Sequence, residues 1–319
     1  MKARTVLMYH AIVAGDAVGA DPHYSVSPEQ FARQLALISE HGSRPASVRE
    51  LLAGHPAATS RPPVCLTFDD GHLSNGAAAE QIARHGGSAE FFVNPSMVGR
   101  PGFLDWPALR EMAALGMSVQ SHGMHHRYLD QLTPAEVQAE LADSKAAIED
   151  AIGQPVTIYA PAGGRMPPGF MATARQLGYA AVCSSRAGVW PTAHVPSAGE
   201  AVEIPRLAML HNTDERRFIA WITQHPVAMF KQRARHQVLG LSKKLLGNQG
   251  HERLRALLLG SRAEAPAASA TQPVNTQPAA PQAAAAPSSS GPGADSAART
   301  PTGAHPDARA RSSATTDAS

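Results

Sequence analysis

Through the first 224 residues, short β-like runs alternate with helical patterns, and no other feature of the chain narrows its fold as much. Thr5 to Tyr9, Val64 to Phe68, Ala89 to Val93, Met117 to Ser121, Val156 to Tyr159 and Ala180 to Cys183 have the length and apolar content of buried strands. Helix starts fall between them. Ser27-Pro28-Glu29-Gln30 offers a capping hydroxyl, a proline at the first helical position and a glutamine three residues beyond the cap. Thr133-Pro134-Ala135-Glu136 repeats the device and opens a long helix that Gly153 ends. Trp106 begins another helix, closed by Gly116, and Asn75 to Arg84 reads as a helix stopped by Gly86 and Gly87. Alternation of this kind builds βα units around a parallel sheet, so the fold class is α/β. A chain of 319 residues is ample for one such domain.

Beyond Gln224 the character changes, which divides the chain into a domain over 1–224, an extension over 225–262 and a tail over 263–319. The extension carries Lys231, Arg233, Arg235, Lys243, Lys244, Arg253, Arg255 and Arg262 against a single acid, Glu252, interleaved with Val238, Leu241, Leu245 and Leu246. That is the pattern of a basic amphipathic helix, packed on the domain or lying on an anionic membrane surface. The tail is Ala, Pro, Ser, Thr and Gly with almost no large apolar residue, a composition that cannot offset its ordering entropy and is read as disordered. With 28 Lys and Arg against 26 Asp and Glu, the average charge gives no reason to expect a nucleic-acid partner. Cys65 and Cys183 each sit in an apolar run and read as buried reduced thiols. No apolar segment reaches the roughly 18 residues needed to span a bilayer. Lys2 and Arg4 precede an apolar run and Val18-Gly19-Ala20 loosely resembles a cleavage site, but Tyr9, His10 and Asp16 interrupt the run, which favours a first strand over a leader.

Polar residues follow four of the strand-like runs: His10, then Asp69-Asp70-Gly71, then His122, then Pro161 to Arg165. In parallel βα folds the carboxyl ends of the strands share one face, where active sites form. Two adjacent carboxylates at the end of an apolar strand repel unless a cation is bound or one stays protonated; an Asp-Gly turn is the bland alternative. His122 and His126 stand at i and i+4, one turn apart and able to face one ion, whereas His125 is out of phase with them. A surface histidine cluster is the competing explanation. Two imidazoles and one carboxylate leave coordination positions open, which suits one catalytic divalent metal, zinc first, with iron, cobalt or nickel also compatible.

The segments Thr67-Phe68-Asp69-Asp70-Gly71 and His122-Gly123-Met124-His125-His126 resemble the first two motifs of the NodB-homology polysaccharide deacetylases, carbohydrate esterase family four. The resemblance covers roughly residues 1 to 220 and implies a distorted (β/α) barrel, often of seven strands, around a divalent metal. It assigns Asp69 as catalytic base and Asp70, His122 and His126 as metal ligands. It also makes the loop holding Pro161, Gly163 and Gly164 the candidate substrate-binding segment. Met8-Tyr9-His10 is similar to the N-terminal motif of the poly-N-acetylglucosamine deacetylase branch, in which a first-strand histidine replaces one from the end of the domain.

Two departures stand out. Where the family's third motif has Arg-x-Pro-Tyr, this chain has Ala160 in place of the arginine and Gly163 in place of the tyrosine; the usual partner of the base is absent, with Arg165 and Arg206 as substitutes or as ordinary structural arginines. Gly123 stands where Ser or Thr is common, removing a hydroxyl that braces the loop. Amide hydrolysis also needs a proton donor for the leaving nitrogen, and His10 is the first choice, His211 the second. The expected activity is removal of N-acetyl groups from an N-acetylglucosamine-type saccharide; a small non-sugar amide or imide substrate and an inactive metal-binding carbohydrate module are the alternatives. A cytoplasmic enzyme peripheral to the inner membrane, acting on lipid-linked precursors, reconciles such a substrate with the N-terminal reading.

Overall fold

The computed structural model describes residues 3–54, 60–191, 200–231 and 234, so the tail and nearly all of the basic extension lie outside the described residues. Nine strands form one all-parallel sheet: β1 (Val6–Tyr9), β2 (Pro45–Ala46), β3 (Val64–Phe68), β4 (Glu90–Val93), β5 (Ser118–Ser121), β6 (Ile158–Tyr159), β7 (Ala181–Ser184), β8 (Val202–Pro205) and β9 (Leu207–Ala208). The ladder runs β8-β7-β6-β5-β4-β3-β1-β9, with β2 beside β3. Its two edge strands, β8 and β9, are separated in the chain by one residue, Arg206. Val202 to Pro205 pair with β7, and Leu207 and Ala208 pair with β1. One stretch of chain therefore joins both edges, and the sheet curls into a nearly closed, distorted barrel. The seven strands expected from the resemblance become eight on this path because Arg206 splits the last stave in two.

Helices α1 (Pro28–Glu40), α2 (Val48–Leu52), α3 (Asn75–Arg84), α4 (Trp106–Ala114), α5 (Pro134–Ile152) and α6 (Phe170–Gln176) alternate with the strands from β1 to β7, and α7 (Glu215–Ile222) follows β9. Their ends follow the sequence signals. The Ser27 side chain accepts from the Gln30 N–H at the start of α1. Thr133 and Glu136 form a reciprocal capping box on α5, and Gly153 ends that helix in the left-handed region at φ 72°. None of the described helices is long and apolar enough to cross a membrane.

Both faces of the sheet are buried, as parallel strands require, and residues alternate between two cores. Leu7, Tyr9, Leu66, Phe68, Phe91, Val93, Tyr159 and Val182 pack outward against the helices. Val6, Cys65, Phe92, Ile158, Ala160, Ala181, Cys183, Val202 and Ile204, from strands all round the sheet, form a second cluster that fills the barrel. The alternation extends past the strand ends. Val6 and Met8 lead to His10, Cys65 and Thr67 to Asp69, Phe92 to Asn94, Gln120 to His122, and Val202 and Ile204 to Arg206. The top layer of the barrel is thus polar where the layers below are apolar.

The opposite mouth is stoppered by α2, whose Val48 packs into the interior cluster with Leu51 and Leu52 beside it. Glu90, fully buried on β4, fixes this plug: it accepts the Val48 N–H, and the Arg49 N–H lies 3.3 Å from its carboxylate. Burial outweighs these bonds and pushes the Glu90 carboxyl up to about 7 from 4.5. A folded-state value above the unfolded one contributes stability that is fully present below pH 4.5 and is lost as the pH rises through about 7, an effect on the order of 3 kcal/mol. Chemical denaturation at pH 5 and pH 8 should show this loss in the wild type and a flatter profile in Glu90→Gln. Equal pH dependence in the two would show that Glu90 folds without a shift.

Candidate active site

Asp69 and Asp70 are adjacent, and the backbone sends them to different tasks. Asp69 continues the inward series of β3 and is buried. There it meets Arg206, which continues the inward series of β8. Arg206 Nη1 donates to Asp69 Oδ1 at 2.6 Å and Nη2 to Oδ2 at 2.9 Å, a two-pronged contact that fixes the carboxylate plane. The guanidinium is itself held: Nη1 also reaches Thr67 Oγ1 at 3.1 Å, Nε donates to the Ser184 carbonyl at 3.2 Å, and its carbon lies 5.5 Å from the Phe92 ring centroid. Burial alone would push the Asp69 carboxyl up, but Arg206, His122 and His10 outweigh it and hold it below the usual range. Of the two arginines weighed as partner of Asp69, Arg206 is the one in contact with it. Arg165 does not substitute; it lies 4.2 Å over the Tyr128 ring and 3.8 Å from Asp130.

Asp70 occupies the left-handed region at φ 72°, as does Gly71 at φ 69°. This pair of residues turns the chain out of the strand and points Asp70 at the histidines. Asp70 Oδ1 lies 3.3 Å from His122 Nε2 and 3.2 Å from His126 Nε2, without a directed hydrogen bond to either. One ligand atom from each residue fits within 4.8 Å of the others. Ligand atoms each ~2.1 Å from a tetrahedral ion would sit ~3.4 Å apart. The donor chemistry agrees. His122 Nδ1 lies 2.7 Å from the Ala160 carbonyl, an acceptor only, so Nδ1 carries a proton and Nε2 is the ring nitrogen turned to Asp70. With Asp69 matched by Arg206, Asp70 is left without an arginine or lysine partner among the described residues. Burial pushes His122 down, but Asp69 and Asp70 more than reverse this, so the site favours positive charge at that place. The three residues fit a divalent metal.

The histidine pair does not lie on a helical turn, as the i, i+4 spacing suggested. Residues 122–128 form a loop, and two left-handed residues, Gly123 at φ 88° and His126 at φ 56°, bring the rings to 5.2 Å. Asn94 Nδ2 donates to the carbonyls of His122 and Gly123 at 2.8 and 2.9 Å. The Gly123 N–H donates to Ser121 Oγ at 3.1 Å, and Glu140 takes the His125 N–H at 3.0 Å and contacts its Nδ1 at 2.7 Å. These groups brace the loop without a hydroxyl at 123, where a Cβ would meet the Tyr159 hydroxyl at 3.0 Å. His125, engaged by Glu140, stays out of the ligand set as its phase indicated. Asn94 was findable by counting two residues on from Phe92; Glu140, buried in the middle of α5, gave no sequence signal.

His10 is near enough to lower both aspartates through its charge. Its ring packs on Tyr24 at 4.6 Å, and its buried Nδ1 has no partner. His211 is farther out. Its N–H donates to the His23 carbonyl at 3.2 Å, and three successive ring contacts, His211 to His23, His23 to Tyr24 and Tyr24 to His10, separate it from the first histidine. Pro161, Gly163 and Gly164 form the turn after β6, with Gly163 at φ 59° and Gly164 at φ 66°.

A metal-suited triad lies beside an arginine-held aspartate at the carboxyl end of a parallel barrel. Residues 57–182 match the family Polysaccharide deacetylase. YxkH of Bacillus subtilis strain 168, named as a polysaccharide deacetylase, is 29% identical over 177 residues, which are 54% of this chain and 61% of that protein. Among solved structures, the deacetylase PplD of Streptococcus pyogenes superposes with a TM-score of 0.60 at 23% identity, covering 69% of this chain and 98% of that one. IcaB of Ammonifex degensii does so with a TM-score of 0.57 at 24% identity, over 69% and 97%. The polysaccharide deacetylase BC0361 of Bacillus cereus gives a TM-score of 0.61 at 24% identity, over 69% of each chain. These likenesses establish the fold.

Replacing Arg206 separates its two contributions. Arg206→Ala should cost roughly 3–5 kcal/mol in denaturation, because a buried carboxylate loses its partner. Arg206→Lys keeps the charge but not the fork, so the Asp69 carboxyl rises and the acidic limb of a kcat/KM profile moves to higher pH, with metal content unchanged. An unmoved limb would reduce Arg206 to a structural role.

Proposed function

We propose that this protein is a metal-dependent N-deacetylase that hydrolyses the acetamide of N-acetylglucosamine-type residues in an oligo- or polysaccharide. The observation that carries the proposal is the division of labour between neighbouring aspartates: Arg206 occupies Asp69, and Asp70 is left to His122 and His126. Asp70, His122 and His126 would hold the metal. When bound there, a divalent ion supplies Lewis acidity, lowering the pKa of water and polarising the acetyl carbonyl. Zinc suits two imidazoles and a carboxylate best, and iron, cobalt and nickel fit the same donors.

Asp69 acts as the base that takes the proton of the attacking water. Its lone pairs outnumber the two contacts from Arg206, so it can accept a further hydrogen bond while its plane stays fixed. His10 protonates the amide nitrogen, a poor leaving group until it receives a proton. Cleavage of the C–N bond then yields acetate and a free amine. The first-strand origin of this histidine supports the branch with an N-terminal Tyr-His motif, and the substrate lies against the turn holding Pro161, Gly163 and Gly164. The basic character of 225–262 supports a cytoplasmic protein peripheral to an anionic inner-membrane face.

Acetate release from N-acetylated saccharides by metal-loaded protein tests the reading. Asp70→Ala and His126→Ala should lose metal and turnover together, while Asp69→Asn keeps the metal and loses turnover by roughly 100-fold or more. His10→Ala should keep the metal and be far more impaired on acetamides than on acetyl esters of phenols, whose leaving groups need no proton. Cleavage of small amides or imides but of no saccharide would point to the non-sugar alternative.

A further inference from the structure

A ring from another loop lies against Gly163. Gly163 holds φ 59°, and a Cβ there would lie 2.8 Å from Tyr128 Cε1 and 3.3 Å from Cδ1. Tyr128 thus rests its edge on the space that a side chain at 163 would fill. The two loops belong to the site: Tyr128 follows His126 by two residues, and Gly163 follows by three the Ala160 whose carbonyl orients His122. Arg165 lies over one face of the ring, its guanidinium carbon 4.2 Å from the centroid. Tyr128 is nevertheless 41% exposed. With one face under Arg165 and one edge on Gly163, the opposite face and the remaining edge are engaged by neither residue.

An aromatic ring held in place at the rim of a polar site offers an apolar face with little ordering cost on binding. The neighbouring guanidinium has donors to spare, since its ion pair with Asp130 is loose at 3.8 Å and it makes no hydrogen bond among the described residues. A flat apolar face beside free N–H donors matches a pyranose ring, which presents C–H bonds on one face and hydroxyls at its edge. We propose that Tyr128, seated on Gly163 and backed by Arg165, is a subsite for the sugar next to the one being deacetylated. The protein then recognises a chain of at least two residues, and the binding energy of the neighbouring sugar is used to place the acetamide. This inference rests on the saccharide reading above.

The test uses the full-length, metal-loaded protein with N-acetylglucosamine and its β-1,4- and β-1,6-linked di- to tetrasaccharides. Wild type should gain about tenfold or more in kcat/KM from one sugar to two or three in at least one series. Tyr128→Ala should abolish that gain, and Tyr128→Phe, which keeps the ring, should retain it. Gly163→Ala, whose Cβ would displace the ring, should lose it as Tyr128→Ala does. Metal content and melting temperature report whether each variant is intact. A gain that survives Tyr128→Ala, or its absence in the wild type while the monosaccharide is turned over, would overturn the subsite alone. Hydrolysis of phenyl acetate with no acetate from any saccharide would overturn the saccharide reading and the subsite with it.

Discussion

The buried ion pair between Arg206 and Asp69 is the contact on which the architecture and the site both depend. Arg206 sits between β8 and β9, at the one place where the chain passes from one edge of the sheet to the other. Its guanidinium ties that seam to β3 through Asp69 and Thr67, and to β7 through the Ser184 carbonyl. Desolvating two charges is expensive, and a pair of apolar residues could fill the same space at least as stably. What apolar residues could not supply is a carboxylate held ionised at fixed orientation and withheld from the neighbouring cation site.

The rest of the site follows from barrel geometry. Period-two alternation makes each stave contribute every second residue to the interior, so the layer at the carboxyl end gathers His10, Asp69, Asn94, His122 and Arg206 from staves that are far apart in sequence. Asp70 and His126 do not belong to that layer. They reach it because their backbone takes up positive φ, a conformation disfavoured for non-glycine residues and concentrated where function requires a side chain to be redirected. At the other mouth, Glu90 and α2 close the barrel, so the polar layer opens toward one side.

Much of this was legible in the sequence. Six strands were evident because each is a short apolar run bounded by turn residues, and helix boundaries followed from the chemistry of Ser27, Thr133 and Gly153. Strands β8 and β9 escaped notice because Glu203, Pro205 and Arg206 break the apolar run, and a buried arginine looks like a surface one until its partner is known. Spacing singled out His122 and His126, and the family resemblance singled out Asp70, yet the helical turn suggested by the two histidines was a loop, since equal spacing can arise from two left-handed residues. Gly163 read as a departure from a motif; only the structure shows Tyr128 lying against it. Compensation between distant positions leaves no trace in spacing.

The central claim is that adjacent carboxylates have separate duties, enforced by Arg206. A crystal structure of the metal-loaded protein, with the ion located by its anomalous scattering, tests it most directly. The account predicts one ion coordinated by Asp70, His122 Nε2 and His126 Nε2, with Arg206 still two-pronged on Asp69. An ion coordinated by Asp69, with Arg206 displaced from it, would contradict the account.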